Sequence, residues 1–315
     1  MRLSFTYLVK QDEKTWDEFS NSIYLLEKNV LSKLSCDFKI LVFSEGSPNL
    51  QASKIIDYLK LKKNILLKIK TVSLKDYVKR SGNENYIVEF PHSARCELHT
   101  SLGYRDMCKF FSNDVFFDED LLDTNYFIRV DTDSYFLDTR KKFINDLNNL
   151  NCDYAYLSNT DQREDKAVTV GFGKCLYQYC EKNNDKEFLS KSNFEICTEA
   201  TLNPKMYYTN FEVVNLDWAK SLNHLNLISH IYAAKGIYQY RWGDNIIRYY
   251  AVKLLQAKIK VLSGCLYKHS GMYDSRNMFR KTVSKVYSKL FKKLHKNNYE
   301  KNLILLDRIF LGIKS

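Results

Sequence analysis

Two aspartates, Asp131 and Asp133, stand directly after the run Tyr126-Phe127-Ile128-Arg129-Val130. That run is short, nearly continuously apolar and rich in aromatic and β-branched residues, which predicts a buried strand. At the C-terminal end of such a strand, two carboxylates occupy the place where open α/β sheets usually bind ligands. An Asp-x-Asp pair can hold one hard divalent cation. Mg²⁺ or Mn²⁺ takes one or two protein carboxylates and completes its shell with diphosphate oxygens, so metal and nucleotide come as a unit. The pattern points to a nucleotide-sugar site. The competing account is a strand end with a solvated acidic turn, which Asp-x-Asp alone leaves open.

The elements that must position these carboxylates can be read in order. Residues 2–9 predict a strand, 15–34 a helix with Phe19, Ile23, Leu26 and Val30 on one face, and 38–43 a second strand. This β-α-β unit implies a right-handed crossover and parallel pairing. Ser44-Glu45-Gly46-Ser47-Pro48 breaks the chain, a helix to about residue 62 and a strand over 65–69 follow, and the N-terminal half reads as doubly wound α/β. Residues 71–100 are polar and aperiodic and read as loop. A helix over 102–111 then feeds the acidic strand. Further on, helices are expected over 143–150 and 172–182, strands over 154–157 and 207–215, a helix to about 234, another from 244 to 255, and a last strand over 258–262.

At 315 residues the chain can bury a sizeable core as one large domain or two associated halves. Only three prolines and ten glycines argue against long disordered linkers. Eight cysteines without Cys-x-x-Cys spacing form neither a zinc ribbon nor a compact disulfide framework, so free, partly buried thiols are expected. Asn is abundant, yet no Asn-x-Ser/Thr occurs. No apolar run reaches membrane-spanning length, and residues 1–10 lack a small-residue cleavage site. A cytoplasmic location, or a peripheral one on a membrane surface, is the expectation. The net charge of +11 is concentrated, because residues 276–296 hold eight Lys/Arg and no acid. Val283, Val286, Tyr287, Leu290, Phe291 and Leu294 recur there at helical spacing and make a basic amphipathic helix. Such a helix could contact an anionic membrane or pack its apolar stripe on the domain with lysines outward. Residues 1–275 are therefore read as one domain and 276–315 as a basic helical extension.

Four blocks, in order, resemble the fungal Golgi α-1,2-mannosyltransferases, glycosyltransferase family 15 of the Kre2/Mnt1/Ktr type. They are Tyr104-Arg105-Asp106-Met107-Cys108-Lys109-Phe110, Tyr126 to Asp133, Thr209-Asn210-Phe211-Glu212-Val213 and Tyr240-Arg241-Trp242-Gly243-Asp244. Ser192-Asn193-Phe194-Glu195-Ile196 is a second match to the third block, but only Glu212 stands at the family's spacing before Arg-Trp-Gly-Asp. The resemblance spans about residues 2–272. It implies a GT-A fold with a mixed, mainly parallel sheet flanked by helices, GDP-mannose as donor, a divalent cation (Mn²⁺ or Mg²⁺), and retaining transfer to a hydroxyl of a glycan acceptor. The family's Glu-Pro-Asp is Asp131-Thr132-Asp133 here, one methylene shorter at the metal position, and the family's membrane anchor and stem have no counterpart in this sequence.

By the same resemblance, Asp131 and His269 are metal ligands, Asp133 and Arg241 contact the donor, and Tyr104 and Arg105 contact the donor or the acceptor. Glu212 is the nucleophile or charge stabiliser at the anomeric carbon, and Asp244 accepts from sugar hydroxyls or caps the helix that starts there. Arg129 and Trp242 read as core supports. Glu212 as a buried partner of an arginine is the structural alternative. Two other readings stay open: a GT-A transferase using a different nucleotide sugar, and an inactive transferase core that binds membrane or nucleic acid. No nucleic-acid motif is present, and no nucleic-acid partner is expected.

Overall fold

The computed structural model describes residues 1–79, 101–157, 162–182 and 191–269, with only the backbone of Lys62 and Lys191. The chain divides into units Met1–Lys268 and His269–Ser315, and of the second only His269, the last residue of a strand, is described. The basic helix expected over 276–296 lies outside the described residues. Among the described residues no helix is long and apolar enough to cross a membrane, and the seven described cysteines are free.

The chain runs β1 (Arg2–Val9), α1 (Glu13–Asn29), β2 (Asp37–Ser44), α2 (Leu50–Asp57), β3 (Leu67–Thr71) and α3 (Leu74–Tyr77). After α4 (Leu102–Ser112) come β4 (Tyr126–Val130), β5 (Ser134–Thr139), α5 (Lys141–Asn148), β6 (Tyr154–Leu157) and β7 (Gln162–Arg163). Then follow α6 (Phe172–Lys182), α7 (Lys191–Leu202), β8 (Lys205–Met206), β9 (Phe211–Asn215), α8 (Leu216–Ala219) and α9 (Leu222–Ala233). The last are α10 (Gly236–Tyr240), α11 (Asp244–Leu254), β10 (Ile259–Leu262) and β11 (Cys265–His269).

Seven strands form one sheet in the order β10-β6-β9-β4-β1-β2-β3, and β5 pairs with β11 in a separate ribbon. β1 pairs in parallel with β2 and β4, as the β-α-β reading requires, whereas β9 runs antiparallel to both β4 and β6. Alternation decides which residues face which layer. Leu3, Phe5, Tyr7 and Val9 pack with Trp16, Phe19, Ile23 and Leu26 of α1 on one face. On the other, Phe43, Phe127, Tyr154 and Val214 meet Phe110 and Phe111 of α4 and Ile246, Ile247 and Tyr250 of α11. Local chemistry supports the helix starts: Asp12 Oδ1 accepts from the Thr15 amide at 2.8 Å, and Ser101 Oγ accepts from that of Tyr104 at 3.2 Å.

Some boundaries differ from the sequence reading. The second helix ends in a π turn over Tyr58–Lys62, closed by Ile65 N donating to Leu59 O at 3.1 Å, and this delays β3 by two residues. Of the strand expected over 207–215 only Phe211–Asn215 is strand, as β9, and the short β8 lies before it at Lys205–Met206. Pairing to β4 begins only at Phe211, opposite Val130. Within the stretch read as loop, 74–77 are helical, and 80–100 lie outside the described residues.

Candidate active site

β4 ends at Val130 and the chain reverses at once. Ser134 N donates to Asp131 O at 3.0 Å, which closes a β-turn over residues 131–134, and Asp131 N donates to Asn210 O at 3.0 Å. The turn carries both aspartates and hands the chain to β5, whose partner β11 ends at His269. One ligand atom each from Asp131, Asp133 and His269 lies within 4.8 Å of the others, and all three residues are half-buried. Ser134 Oγ and the Tyr267 hydroxyl, 2.6 Å apart, tie β11 to the turn, and burial first, then the neighbouring aspartates, pushes that phenol's pKa well up. Two carboxylate oxygens and an imidazole nitrogen make a donor set that fits Mn²⁺.

Behind the turn lies a buried charge network. Arg129 projects from β4 to the face shared with α4 and α11. Its Nε donates to Asp131 Oδ1 at 2.7 Å, its Nη2 to Asp131 Oδ2 at 3.3 Å, and its Nη1 to Asp244 Oδ2 at 2.6 Å. The Phe111 ring lies 3.8 Å from its Cζ. Burial works against the charged guanidinium, but Asp131 and Asp244 outweigh it and raise the pKa further. Thr209 Oγ1 donates to the same Asp244 oxygen at 2.6 Å. The helix cap at this point is Gly243, with no side-chain bond, so Asp244 sits in the first turn of α11 without capping it. Arg129 is thus more than the core support its sequence context suggests. The signal available was its spacing, since residues two apart on a strand share a face.

Glu212 opposes Arg129 in the β4–β9 register. It is wholly buried, and its Oε2 accepts from Arg248 Nε at 3.1 Å. Burial raises its pKa against the pull of Arg248 and Arg129. Arg248 also donates from Nη2 to the carbonyls of Phe111 and Ser112 at 2.9 and 3.2 Å. The arginine-paired alternative for Glu212 is therefore the arrangement present, and Arg248 is a partner the sequence did not reveal. Glu195, the rival match, is exposed on α7.

The remaining expected residues gather on α4 and the loop before α11. Arg105 is wholly buried and donates from Nη1 to the Tyr238 carbonyl, docking α4 against α10. Arg241, expected near phosphates, is 4% exposed; its Nη2 lies 3.5 Å from Glu164 Oε1 and its Cζ 5.4 Å from the centre of the Tyr104 ring. It adopts φ 65°, a left-handed conformation costly for a residue with a Cβ, between α10 and Trp242. The turn is pinned by Trp242, whose Nε1 donates to Val170 O at 2.9 Å and whose ring fills the space a Cβ on Gly236 would need.

Comparison with known proteins accords with this geometry. The family model for glycolipid 2-alpha-mannosyltransferases matches residues 7–297. The probable mannosyltransferase KTR3 of Saccharomyces cerevisiae is 27% identical over 168 residues, 51% of this chain and 40% of that protein. The glycolipid 2-alpha-mannosyltransferase 1 of Candida albicans is 26% identical over 167 residues, 51% and 38% of the two chains. The chain thus spans less than half the length of these curated relatives. Among solved structures, core-mannan synthase A (CmsA/Ktr4) of Aspergillus fumigatus in its Mn/GDP form superposes with a TM-score of 0.65 at 17% identity, covering 86% of this chain and 75% of that one. The mannosyltransferase Ktr4p of S. cerevisiae gives 0.63 at 16% identity, covering 85% and 70%. The fold is GT-A-like, as expected, and by the match over most of its length the chain belongs to the glycolipid 2-alpha-mannosyltransferase family.

Proposed function

We propose that this protein is a metal-dependent, retaining glycosyltransferase that moves mannose from GDP-mannose to a hydroxyl of a glycan acceptor. The observation that carries the proposal is the convergence of Asp131, Asp133 and His269 at the C-terminal end of a central strand of a GT-A-like sheet. Family membership supports the choice of reaction and sugar, and the Mn/GDP form of the Aspergillus relative supports the choice of metal and nucleotide.

When bound, Mn²⁺ supplies Lewis-acid stabilisation of charge on a departing diphosphate. Asp131 and His269 would hold it, with Asp133 beside them for the ribose or sugar. Arg129, inside the wall, offsets the negative charge of the aspartates. Glu212 is assigned to the charge that develops at the anomeric carbon. Its complete burial and its bond to Arg248 favour an electrostatic task over direct attack on the sugar. Tyr104 and Arg241, stacked one above the other, are assigned to the donor's edge of the site. Asp244 enters this scheme through Arg129, since its Oδ2 already accepts from two donors. Residues 1–275 as the transferase domain and 276–315 as a basic extension belong to the same proposal.

The test is GDP release from GDP-mannose, with and without Mn²⁺ and with a mannose-terminated acceptor, for wild type, Asp131→Ala and Glu212→Gln. Metal-dependent turnover lost in Asp131→Ala supports the reading. Equal turnover in EDTA, or none with any acceptor while another nucleotide sugar is consumed, refutes it.

A further inference from the structure

We propose that Arg129 and Asp244 form a positioning relay for Asp131, so that Asp244 acts on the metal site through Arg129 and not by touching the sugar. This rests on the metal-site reading above and extends it to residues that do not meet the ion.

The geometry is that of a clamp. Arg129 presents two adjacent nitrogens to the two oxygens of Asp131, at 2.7 and 3.3 Å, and a third to Asp244 at 2.6 Å. A planar fork that engages both carboxylate oxygens sets the carboxylate's plane as well as its position, which a point charge cannot do. The fork is itself fixed. The Phe111 ring lies 3.8 Å from the guanidinium carbon, and Asp244 is held by Thr209 Oγ1 at 2.6 Å. Two members of the chain of contacts are buried and one is not: the Asp244 and Arg129 side chains are 5% and 3% exposed, and that of Asp131 is 25% exposed. The outermost member is therefore the one able to meet a ligand. Each carboxylate oxygen has two lone pairs, so Asp131 can accept from Arg129 and still offer an oxygen to a cation shared with Asp133 and His269.

The arrangement also explains why an acid terminates Arg-Trp-Gly-Asp in this chain. Asp244 is remote in sequence from Asp131, yet its Oδ2 is occupied from both sides by Arg129 and Thr209. With one cation between two carboxylates, loss of Asp244 lets the guanidinium swing wholly onto Asp131. Loss of the fork frees Asp131 to rotate. Both changes blur the position of the ligand oxygen without removing it.

The experiment is titration of the full chain with Mn²⁺ alone, followed by calorimetry and by the electron paramagnetic resonance of the bound ion, for wild type, Arg129→Lys, Asp244→Asn, Thr209→Val and the double variant of the first two. Outer-shell partners of metal ligands contribute about 10- to 100-fold in affinity. Arg129→Lys is expected to lose that much, Asp244→Asn and Thr209→Val less in the same direction, and the double variant no more than Arg129→Lys. Excess Mn²⁺ should restore donor turnover in the single variants, raising the metal requirement with kcat little changed. Wild-type Mn²⁺ affinity in Arg129→Lys, with only a lowered melting temperature, overturns the relay and leaves Arg129 a structural residue. Should Arg129→Lys not fold, wild-type affinity in both Asp244→Asn and Thr209→Val overturns it equally. Absence of Mn²⁺ binding to the wild type is a different result: it removes the metal-site reading itself.

Discussion

Replacing Glu212 with Gln tests whether the arginine facing it depends on its charge. The two side chains are 0% and 1% exposed, joined by a 3.1 Å bond from Arg248 Nε. Gln keeps the shape and removes the charge. Arg248 then retains the carbonyls of Phe111 and Ser112, but its guanidinium stays buried with its counter-ion gone. Breaking a buried pair by removing one partner costs about 3–5 kcal/mol, and for a domain of this size each kcal/mol lowers Tm by about 2–4 °C. The loss depends on pH in a known direction. Burial raises the Glu212 pKa above its ordinary value despite the nearby arginines, so its stability contribution relative to an unfolded carboxyl is present at low pH and lost as pH rises through the folded pKa. Gln carries no titrating proton, so the wild type gains stability relative to the Gln variant as the carboxyl protonates, and the difference between them widens on acidification. Urea unfolding of Glu212→Gln, Arg248→Met and the double variant at several pH values measures both the loss and the coupling. A loss below about 1 kcal/mol at neutral pH with an unchanged m value would refute the account of the buried pair. The same measurement shows whether lost turnover in Glu212→Gln is chemistry or unfolding.

Other outcomes are equally definite. Gly236→Ala places a methyl 2.2 Å from ring atoms of Trp242; the overpacking should destabilise by about 1–3 kcal/mol and shift tryptophan emission, and unchanged emission and Tm contradict the packing described. His224 is pushed down to about 3, first by burial and then by Arg248. An unfolded imidazole protonates near pH 6.5, so stability is retained above that value and falls, by up to about 1.4 kcal/mol per pH unit, as pH drops toward 3. Thermal melts between pH 7 and 5 should show a shallower slope in His224→Gln than in wild type, and parallel slopes contradict this.

The acidic turn, the parallel N-terminal half and the position of Glu212 were legible because each has a local signature: an apolar run ending in acids, a helix-strand alternation, and a motif at a fixed distance from Arg-Trp-Gly-Asp. Partners remote in the chain were not. Arg129 sits within an apolar strand and reads as a stray core charge until the register opposite Glu212 and the start of α11 bring Asp244 to it. Arg248 lies inside an amphipathic helix, where nothing distinguishes an inward arginine from a surface one. The β5–β11 ribbon that carries His269 escaped notice because β5 begins four residues after β4 ends, so the two read as one segment with an acidic interruption. Asp244 illustrates the opposite limit. A residue type ideal for capping occupies the first turn of a helix, but the two donors that reach it from β4 and the loop before β9 decide its task.

The most direct test of the central claim is calorimetric titration of GDP into the full chain, in Mn²⁺ and in EDTA, for wild type, Asp133→Ala and His269→Ala. Three ligand atoms gathered within 4.8 Å predict that GDP binds the wild type tightly only with Mn²⁺ and that either substitution weakens binding about tenfold or more. GDP affinity indifferent to the metal and to both substitutions would contradict a metal-centred nucleotide site at this turn.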